Sequence, residues 1–492
     1  MARKMLAWAA LAGAVLFQSA AAQPIRLHPK NPHYFLFRGN AVALVSSGEH
    51  YGCVINGAID YERYLASLAA DGMNYTRIFG GTYVEVPAQS FGIHRNNLAP
   101  GPGQFVAPWA RSETPGYAGG GNQFDLDRWN PEYFARLHDF LAEASRLGIV
   151  VEVTLFSSHY IEAHWSLSPF NPANNVNATS GIDWRKLHML DNGNILARQE
   201  QYTRKLVREA NGFDNVIFEI QNEPWSDRTV LAGVVNPYLP APDRDRYPNS
   251  IDLADEASMK WQAQVAKWIA TEEAALPNKH LIAQNYCNFG FPVGAAAPGV
   301  SIINFHYAYP AAATLNYGMG LALSCDETGF RGHADEAYRR EAWSFMLAGG
   351  SVFDNLDYSF TAGHEDGSDA EANGPGGGSP ALRHQLRVLS EFLRSLPLAD
   401  LAPDQGVVKL AAGAYAYALS ASGRRYAMYF DGSGPVAVTL DLPAGAYSGE
   451  WINIQTGAVE RAEKFPHRGG AVTLQTPGFA DGIALRLDRM AR

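Results

Sequence analysis

The amino-acid sequence predicts an α/β chain with a (β/α)8, or TIM, barrel over residues 23–397 and a small all-β sandwich over residues 402–492. Two observations carry the barrel. Short apolar runs alternate with amphipathic stretches through eight β-to-α steps, and the amphipathic stretches begin and end on helix-capping residues. A third observation carries the sandwich: beyond residue 402 the pattern becomes short alternating runs between turns. An open doubly wound sheet is the lesser option, because no nucleotide-binding glycine fingerprint follows a strand.

Taken in order, residues 41–47 ("AVALVSS") read as the first strand. Asp60 caps a helix that presents Tyr61, Tyr64, Leu65 and Leu68 on one face and closes at Gly72. Residues 73–79 form the second strand. Asn130-Pro131 start a helix with Phe134, Leu137, Leu141 and Ala144 in register, ended by Gly148. Residues 149–156 follow as strand three, then a helix at 196–211 and "VIFEIQNE" (216–223) as strand four. Residues 280–286, 301–307, 321–327 and 351–358 complete the eight. The links 288–300 and 308–320 are brief and rich in Gly, Pro and Ala, so helices five and six are expected to be rudimentary. The final helix lies at 381–396, and six alternating runs, from "YAYALS" to "IALRLD", make the sandwich.

Three insertions follow strand C-termini, where a barrel builds its working face. Residues 80–124 carry Tyr83, Trp109 and Tyr117, and residues 157–195 carry Trp165 and Trp184. Residues 359–380 are acidic and glycine-rich, and read as a disordered segment or a mobile lid, with disorder favoured. Loops of this length suggest a walled pocket over the mouth.

The apolar fraction of 47% and charged fraction of 18% belong to a globular protein. A net charge of −10 disfavours nucleic acid or any polyanionic partner. At the N-terminus, Arg3 and Lys4 precede an apolar run from Met5 to Phe17, and Ala20–Ala22 supply small residues for cleavage. Residues 1–22 therefore read as a signal peptide too short to anchor the chain, and the mature protein is expected to be secreted, periplasmic or extracellular, with no membrane partner. Cys53, Cys287 and Cys325 allow at most one disulfide, fit no metal spacing, and read as buried free thiols. Oligomeric state is not legible.

Two strand ends place glutamates at the barrel mouth: Glu223 after strand four and Glu327, in "SCDETGF", after strand seven. An apolar strand finishing in Asn222 and Glu223 just before Pro224 is a costly place for a carboxylate unless it is used. Paired carboxyl groups flanking one bond are the apparatus of glycoside hydrolysis, one protonating the leaving oxygen and the other attacking or activating water. In that chemistry one carboxyl is expected to stay protonated near neutral pH, its pKa raised by the other, which is ionised.

The motif "IQNEP" ending strand four, with a second glutamate in "DETG" ending strand seven, resembles clan A glycoside hydrolases and is most similar in layout to family 5. The resemblance covers about residues 25–397. It implies Glu223 as the general acid/base that stays protonated, Glu327 as the ionised nucleophile, Asn222 as the residue holding the sugar 2-hydroxyl, and Arg77, in "NYTRIF", as the arginine that steadies the nucleophile. His159 and His306 match the clan's site histidines more loosely. Family 5 shows His-x-Tyr after strand six, whereas here His306 is followed by Tyr307 and Tyr309, either of which could serve. The family's strand-eight tryptophan is replaced by "FDNLDY", with Asp354 and Asp357, and Asp326 stands beside Glu327. The tail resembles a C-terminal module attached to some cellulase-like barrels, as much a brace as a sugar-binding module.

Glu49 and His50, ending strand one, and Trp225, following Pro224, are further candidates to line the pocket and contact a carbohydrate substrate. The expected function is a secreted, retaining glycoside hydrolase that needs neither metal nor cofactor, with a pocket suited to trimming oligosaccharides. Two alternatives come from other classes. His50, His159, His164 and His306 with Glu49 could make a metal-dependent hydrolase, although no H-x-H or H-E-x-x-H pairing occurs. The other is a non-catalytic carbohydrate-binding barrel.

Overall fold

The computed structural model describes residues 23–87, 89–234, 250–372 and 374–490; the signal-peptide reading of residues 1–22 lies outside them. The chain opens with an antiparallel sheet of β1 (Arg26–His28), β2 (Asn31–Phe37) and β3 (Asn40–Val42). Its hairpin turns at Arg38 and Gly39, both with positive φ (49° and 82°), as a two-residue turn matching strand twist demands. Residues 41 and 42, expected in the first barrel strand, instead pair back onto β2, and the barrel strand begins at Leu44.

Eight parallel strands follow: β4 (Leu44–Gly48), β5 (Tyr75–Phe79), β8 (Val150–Ser157), β9 (Val216–Asn222), β12 (Leu281–Asn288), β13 (Ile302–His306), β14 (Ala322–Glu327) and β15 (Val352–Leu356). Between them run two antiparallel hairpins, β6 (Trp109–Pro115) with β7 (Asn122–Trp129), and β10 (Thr229–Val234) with β11 (Ser250–Ala254). The second hairpin rises directly after β9 and was not anticipated from the sequence. The barrel strands are buried almost throughout, the consequence of apolar runs covered on both faces. Ladder bonds join β4–β15–β14–β13–β12–β9–β8–β5 in that order. At the remaining seam, the Asn74 side chain stands in for a ladder: its Oδ1 accepts from the Val45 N–H (2.8 Å) and its Nδ2 donates to Ala43 O (2.9 Å).

One end of the barrel is closed by its own apolar residues. Ile25, Phe35 and Phe37 of the N-terminal segment pack against Leu44, Tyr75, Val150, Ile217, Leu281, Ile302, Ala322 and Val352, one residue from the start of every barrel strand. The opposite, C-terminal end is left for the insertions.

The outer helices follow their expected signals. Asp60 caps Tyr61–Ala70, while Asn130 caps Pro131–Leu147, which ends at left-handed Gly148. Residues 289–301 form no helix, and β13 is followed only by the seven-residue helix Pro310–Asn316, as their composition predicts. The three cysteines are buried free thiols. Among the described residues no helix is long and apolar enough to cross a membrane.

Residues 359–380 correct the sequence reading: the described residues of this run form an ordered segment with Phe360, Thr361, Glu365 and Asp369 buried. The acidic side chains are used. Asp369 accepts from Thr361 (2.6 Å) and Arg95 (2.7 Å), Glu365 accepts from the backbone of Asp60 and Gly363, and Arg383 donates to Gly367 O (3.1 Å). The glycines are also used. A Cβ on Gly376 would collide with the carbonyl of Gly329, and one on Gly374 would meet the Tyr358 ring. Low side-chain volume here permits close packing of backbone.

The C-terminal sheets are six-stranded (Ala402–Pro403, Ala414–Ala421, Arg425–Gly432, Ile483–Arg489, Gly445–Asn453, Val459–His467) and three-stranded (Val408–Ala411, Ala437–Leu442, Gly470–Gln475), all antiparallel. They dock on the barrel helix Asp335–Leu347, where Trp343 packs on Tyr429 (5.7 Å between centroids) and Arg340 pairs with Asp431 at 2.7 Å.

Replacing Gly376 by Ala is expected to destabilise the protein by about 1–3 kcal/mol through overpacking, lowering Tm and exposing residues 359–380 to limited proteolysis. An unchanged Tm and cleavage pattern would contradict this account of the segment.

Candidate active site

Five residues just beyond the barrel strands adopt left-handed backbone: Tyr51 (φ 55°), Tyr160 (57°), Glu223 (45°), Phe289 (58°) and Tyr307 (53°). Each such residue costs on the order of 1 kcal/mol or more without glycine's freedom. All five line one cavity of about 510 Å³ at the C-terminal end of the barrel, within the range of small-ligand sites. The left-handed turn is what swings a side chain off the strand line and into the mouth.

Three of these residues complete a repeated pair. His50-Tyr51, His159-Tyr160 and His306-Tyr307 follow strands one, three and six. In every case the tyrosine hydroxyl reaches a glutamate: Tyr51 donates to Glu327 Oε2 (2.9 Å), Tyr160 to Glu223 Oε2 (2.8 Å), and Tyr307 to both Glu223 Oε1 (3.2 Å) and Glu327 Oε1 (2.9 Å). Of the two candidates after strand six, Tyr307 bridges the glutamates, whereas Tyr309 stacks on Phe289 at 5.3 Å. Tyr51 and Tyr160 were not singled out from the sequence; the recurring His-Tyr at strand ends is the signal that marks them.

Glu223 and Glu327 face each other closely, with a carboxyl oxygen of each and a ring nitrogen of His306 all within 4.8 Å. Glu327 reaches the mouth because β14 carries a bulge. Phe305 pairs with Cys325 and His306 with Glu327, so Asp326 is the extra residue. Its side chain turns down into the barrel, where Asn304 donates to it (3.0 Å) and Arg77 approaches to 3.4 Å. The adjacent carboxylates thereby take different levels of the barrel.

Arg77, fully buried, ties these levels together. It donates two parallel bonds to Glu219 (2.8 and 2.7 Å), one to Asn222 Oδ1 (2.7 Å) and one to Glu327 Oε2 (3.1 Å). Its guanidinium also lies 4.8 Å from the Tyr51 ring centroid. Asn222 spends its Nδ2 on the Tyr160 hydroxyl (2.7 Å). Thr154 and Asn285 hold Glu219 from the other side. Burial disfavours the arginine's charge, but Glu219, Asp326 and Glu327 together raise its pKa well above the usual value.

His306 Nδ1 lies 2.8 Å from Glu223 Oε1. Burial would lower the histidine's pKa, yet the surrounding Glu327, Asp326 and Glu223 raise it well above the ordinary value. Burial pushes the Glu223 carboxyl up, but the bond and charge of His306 and the hydroxyls of Tyr160 and Tyr307 outweigh it, leaving the group below its usual range. The expected raised pKa of Glu223 is thus corrected: His306 and the two tyrosine hydroxyls outweigh burial.

Four candidates do not line the cavity: Arg77 and His306 lie buried against its glutamates, and His159 and Glu49 turn away from it. His159 is buried behind Tyr160, its ring edge-on to Tyr83 (5.5 Å) and Trp165 (5.7 Å). Glu49 folds back on its own loop and accepts from the N–H groups of Gly52 (3.0 Å) and Cys53 (2.9 Å) and from Asn97 (2.7 Å), which braces Tyr51. His50 and Trp225 do line the cavity. So does Glu85, a buried acid on the insertion after β5 that the sequence reading passed over because nothing local marks it. Asp354 and Asp357, replacing the strand-eight tryptophan, are core groups: Asp354 accepts from the Gly48 N–H (3.0 Å) and Asp357 from Arg383 (2.7 Å). Among the described residues, the histidine set with Glu49 is not gathered into a metal-like cluster; the groups that do come within 4.8 Å are Glu219–His306–Asp326 and Glu223–His306–Glu327.

A family model for a domain of unknown function, DUF6298, matches residues 93–184. No curated protein matches the sequence. Among solved structures the chain is similar to a glycoside hydrolase (12% identity, TM-score 0.61, covering 96% of this chain and 98% of that one). It is also similar to a glycoside hydrolase family 5 structure from Bacteroides vulgatus (10% identity, TM-score 0.62, covering 95% and 93%). At such identities the likeness is one of fold, and it extends over the sandwich as well as the barrel. The (β/α)8 architecture is the one these structures share.

Removing the guanidinium leaves Glu219 buried without its partner, so Arg77→Met is expected to cost about 3–5 kcal/mol. Arg77→Lys should not restore it, since one ammonium cannot span three acceptors. Chemical denaturation checks both; a lysine variant within about 1 kcal/mol of wild type would contradict the fork's role.

Proposed function

We propose that this protein is a glycoside hydrolase that cleaves an oligo- or polysaccharide with retention of configuration, using Glu327 as nucleophile and Glu223 as acid/base. The observation that carries the reading is the pair itself: two carboxyl groups within 4.8 Å, joined through one tyrosine hydroxyl, at the mouth of a barrel pocket. Retaining enzymes hold their carboxyl groups about 5–5.5 Å apart, and inverting ones about 6.5–9.5 Å to admit a water. The close approach supports direct attack. The fold shared with glycoside hydrolases supports the same class.

Each contact fits a step. Tyr51, Tyr307 and Arg77 donate to Glu327 and hold it in place as the nucleophile that adds to the anomeric carbon. Asn222, held by Arg77 and Tyr160, is oriented toward a 2-hydroxyl. The leaving oxygen needs a proton; His306 stores it 2.8 Å from Glu223, and transfer to Glu223 arms the acid as substrate displaces water from the mouth. Glu223 then takes a proton from the water that releases the sugar. Trp225, on the turn after Glu223, supplies an aromatic wall. Phe91 and Pro375, from two of the insertions, and Phe330, from the loop after β14, wall the cavity further and favour trimming of chain ends. The N-terminal sequence supports export.

Glu327→Gln is expected to lower kcat at least a thousandfold, about 4 kcal/mol of transition-state stabilisation. Proton NMR of the first-formed product should show the substrate's anomeric configuration. Inverted product would overturn the double displacement, and loss of activity on chelation, with Glu327→Gln still active, would shift the chemistry to a metal.

A further inference from the structure

Glu85 is a buried cavity carboxyl that the mechanism above leaves unused. The insertion after β5 places it against the cavity, where it is 97% buried (3% exposed). Asn96 donates to Oε2 (2.5 Å) and the Tyr83 hydroxyl to Oε1 (3.2 Å), and His50 Nε2 stands 3.7 Å from Oε1. No arginine or lysine pairs with it among the described residues, in contrast to Glu327 with Arg77. Oε1 carries one long hydrogen bond and has a second lone pair to offer.

His50 is the second observation. It is more than nine-tenths buried, lines the same cavity, and its Nδ1 has no hydrogen-bond partner among the described residues. Burial leaves the ring neutral, with its pKa lowered to about 4, so it can give or take one hydrogen bond without adding a cation. It is the other ring nitrogen, Nε2, that stands 3.7 Å from the under-used carboxyl oxygen, so polar groups of a ligand reaching this part of the cavity wall meet both.

We propose that Glu85 and His50 form a second polar anchor, which holds neighbouring hydroxyl groups of the bound sugar and makes the pocket select uncharged glycosides over uronosides. This rests on the glycosidase reading above. Burial raises the pKa of the Glu85 carboxyl to about 7, and above that pH it is a carboxylate that takes hydroxyl donors. A sugar carboxylate brought to the same wall would meet Glu85 with Glu223, Glu327 and Asp252 lining the rest of the cavity. His50, being neutral, offers that anion no compensation.

The test compares wild type and Glu85→Gln on paired libraries of neutral and uronic-acid oligosaccharides. Wild type is expected to turn over neutral sugars with kcat/KM at least 100-fold above any uronoside. Glu85→Gln is expected to raise KM for the accepted sugar about tenfold, with a smaller change in kcat, and to narrow the neutral-to-uronoside ratio at least tenfold. That ratio is insensitive to the fraction of variant that folds. Uronosides accepted within tenfold of neutral sugars, or a Glu85→Gln enzyme with unchanged KM and ratio, would overturn the inference while the glycosidase reading stands. No turnover in either library would overturn both.

Discussion

The structure turns on one buried guanidinium. Arg77 reaches three strands at once, donating to Glu219 and Asn222 of β9 and to Glu327 of β14 from its own place on β5. A charge without water is tolerated only when its hydrogen bonds are completed by geometry of this quality. The fork does so, and the same bonds that satisfy Arg77 fix the carboxylate at the mouth and the amide beside it. Stability of the barrel interior and orientation of the site are therefore one arrangement, and neither can be altered without the other.

Above that hub the strain lies where the chemistry is. Five side-chain-bearing residues in left-handed backbone, and a bulge at Asp326, all fall at the C-terminal ends of barrel strands. At the opposite end the left-handed non-glycine residue is Arg38, in the hairpin between β2 and β3. There the N-terminal sheet seals the barrel with a layer of aliphatic and aromatic residues drawn from every strand. The division has a physical logic: the closed end supplies burial, and the mouth keeps conformations that repay their cost only by aiming Tyr51, Tyr160, Glu223 and Tyr307 at one small volume.

What could be read in advance follows the same division. Apolar runs and caps such as Asp60 and Asn130-Pro131 are local signals, so the eight strands and the main helices were legible, as were the absent helix after β12 and the short one after β13. Glu223 and Glu327 were legible because a carboxyl group ending an apolar strand is anomalous by itself. His159 and Glu49 misled, since sequence places a residue near a strand end without saying which of two neighbours turns inward. A one-residue difference decides it, and in "SHY" the left-handed residue is the tyrosine. The acidic, glycine-rich run at 359–380 misled for a related reason. Composition poor in apolar side chains signals disorder only if nothing else fills the space, and here Arg95, Arg383 and close backbone contacts fill it.

The proton inventory of the mouth extends the argument. Glu223 and Glu327 share the Tyr307 hydroxyl, so two unscreened anions would repel at this distance, and one proton must reside nearby. His306 carries it, flanked by Glu223 on Nδ1 and by Asp326 3.7 Å from Nε2. Burial resists the Asp326 charge, but Arg77 and His306 hold its carboxyl below the usual range, so it stays an anion under the ring. Asp326 thus anchors the imidazolium from the barrel side, and the bulge that sends Asp326 downward while Glu327 faces the mouth is what allows consecutive residues to do both. Had β14 run without that extra residue, alternation would have turned one of the two carboxylates out of the barrel, and the mouth would have lost either Glu327 or the charge beneath His306.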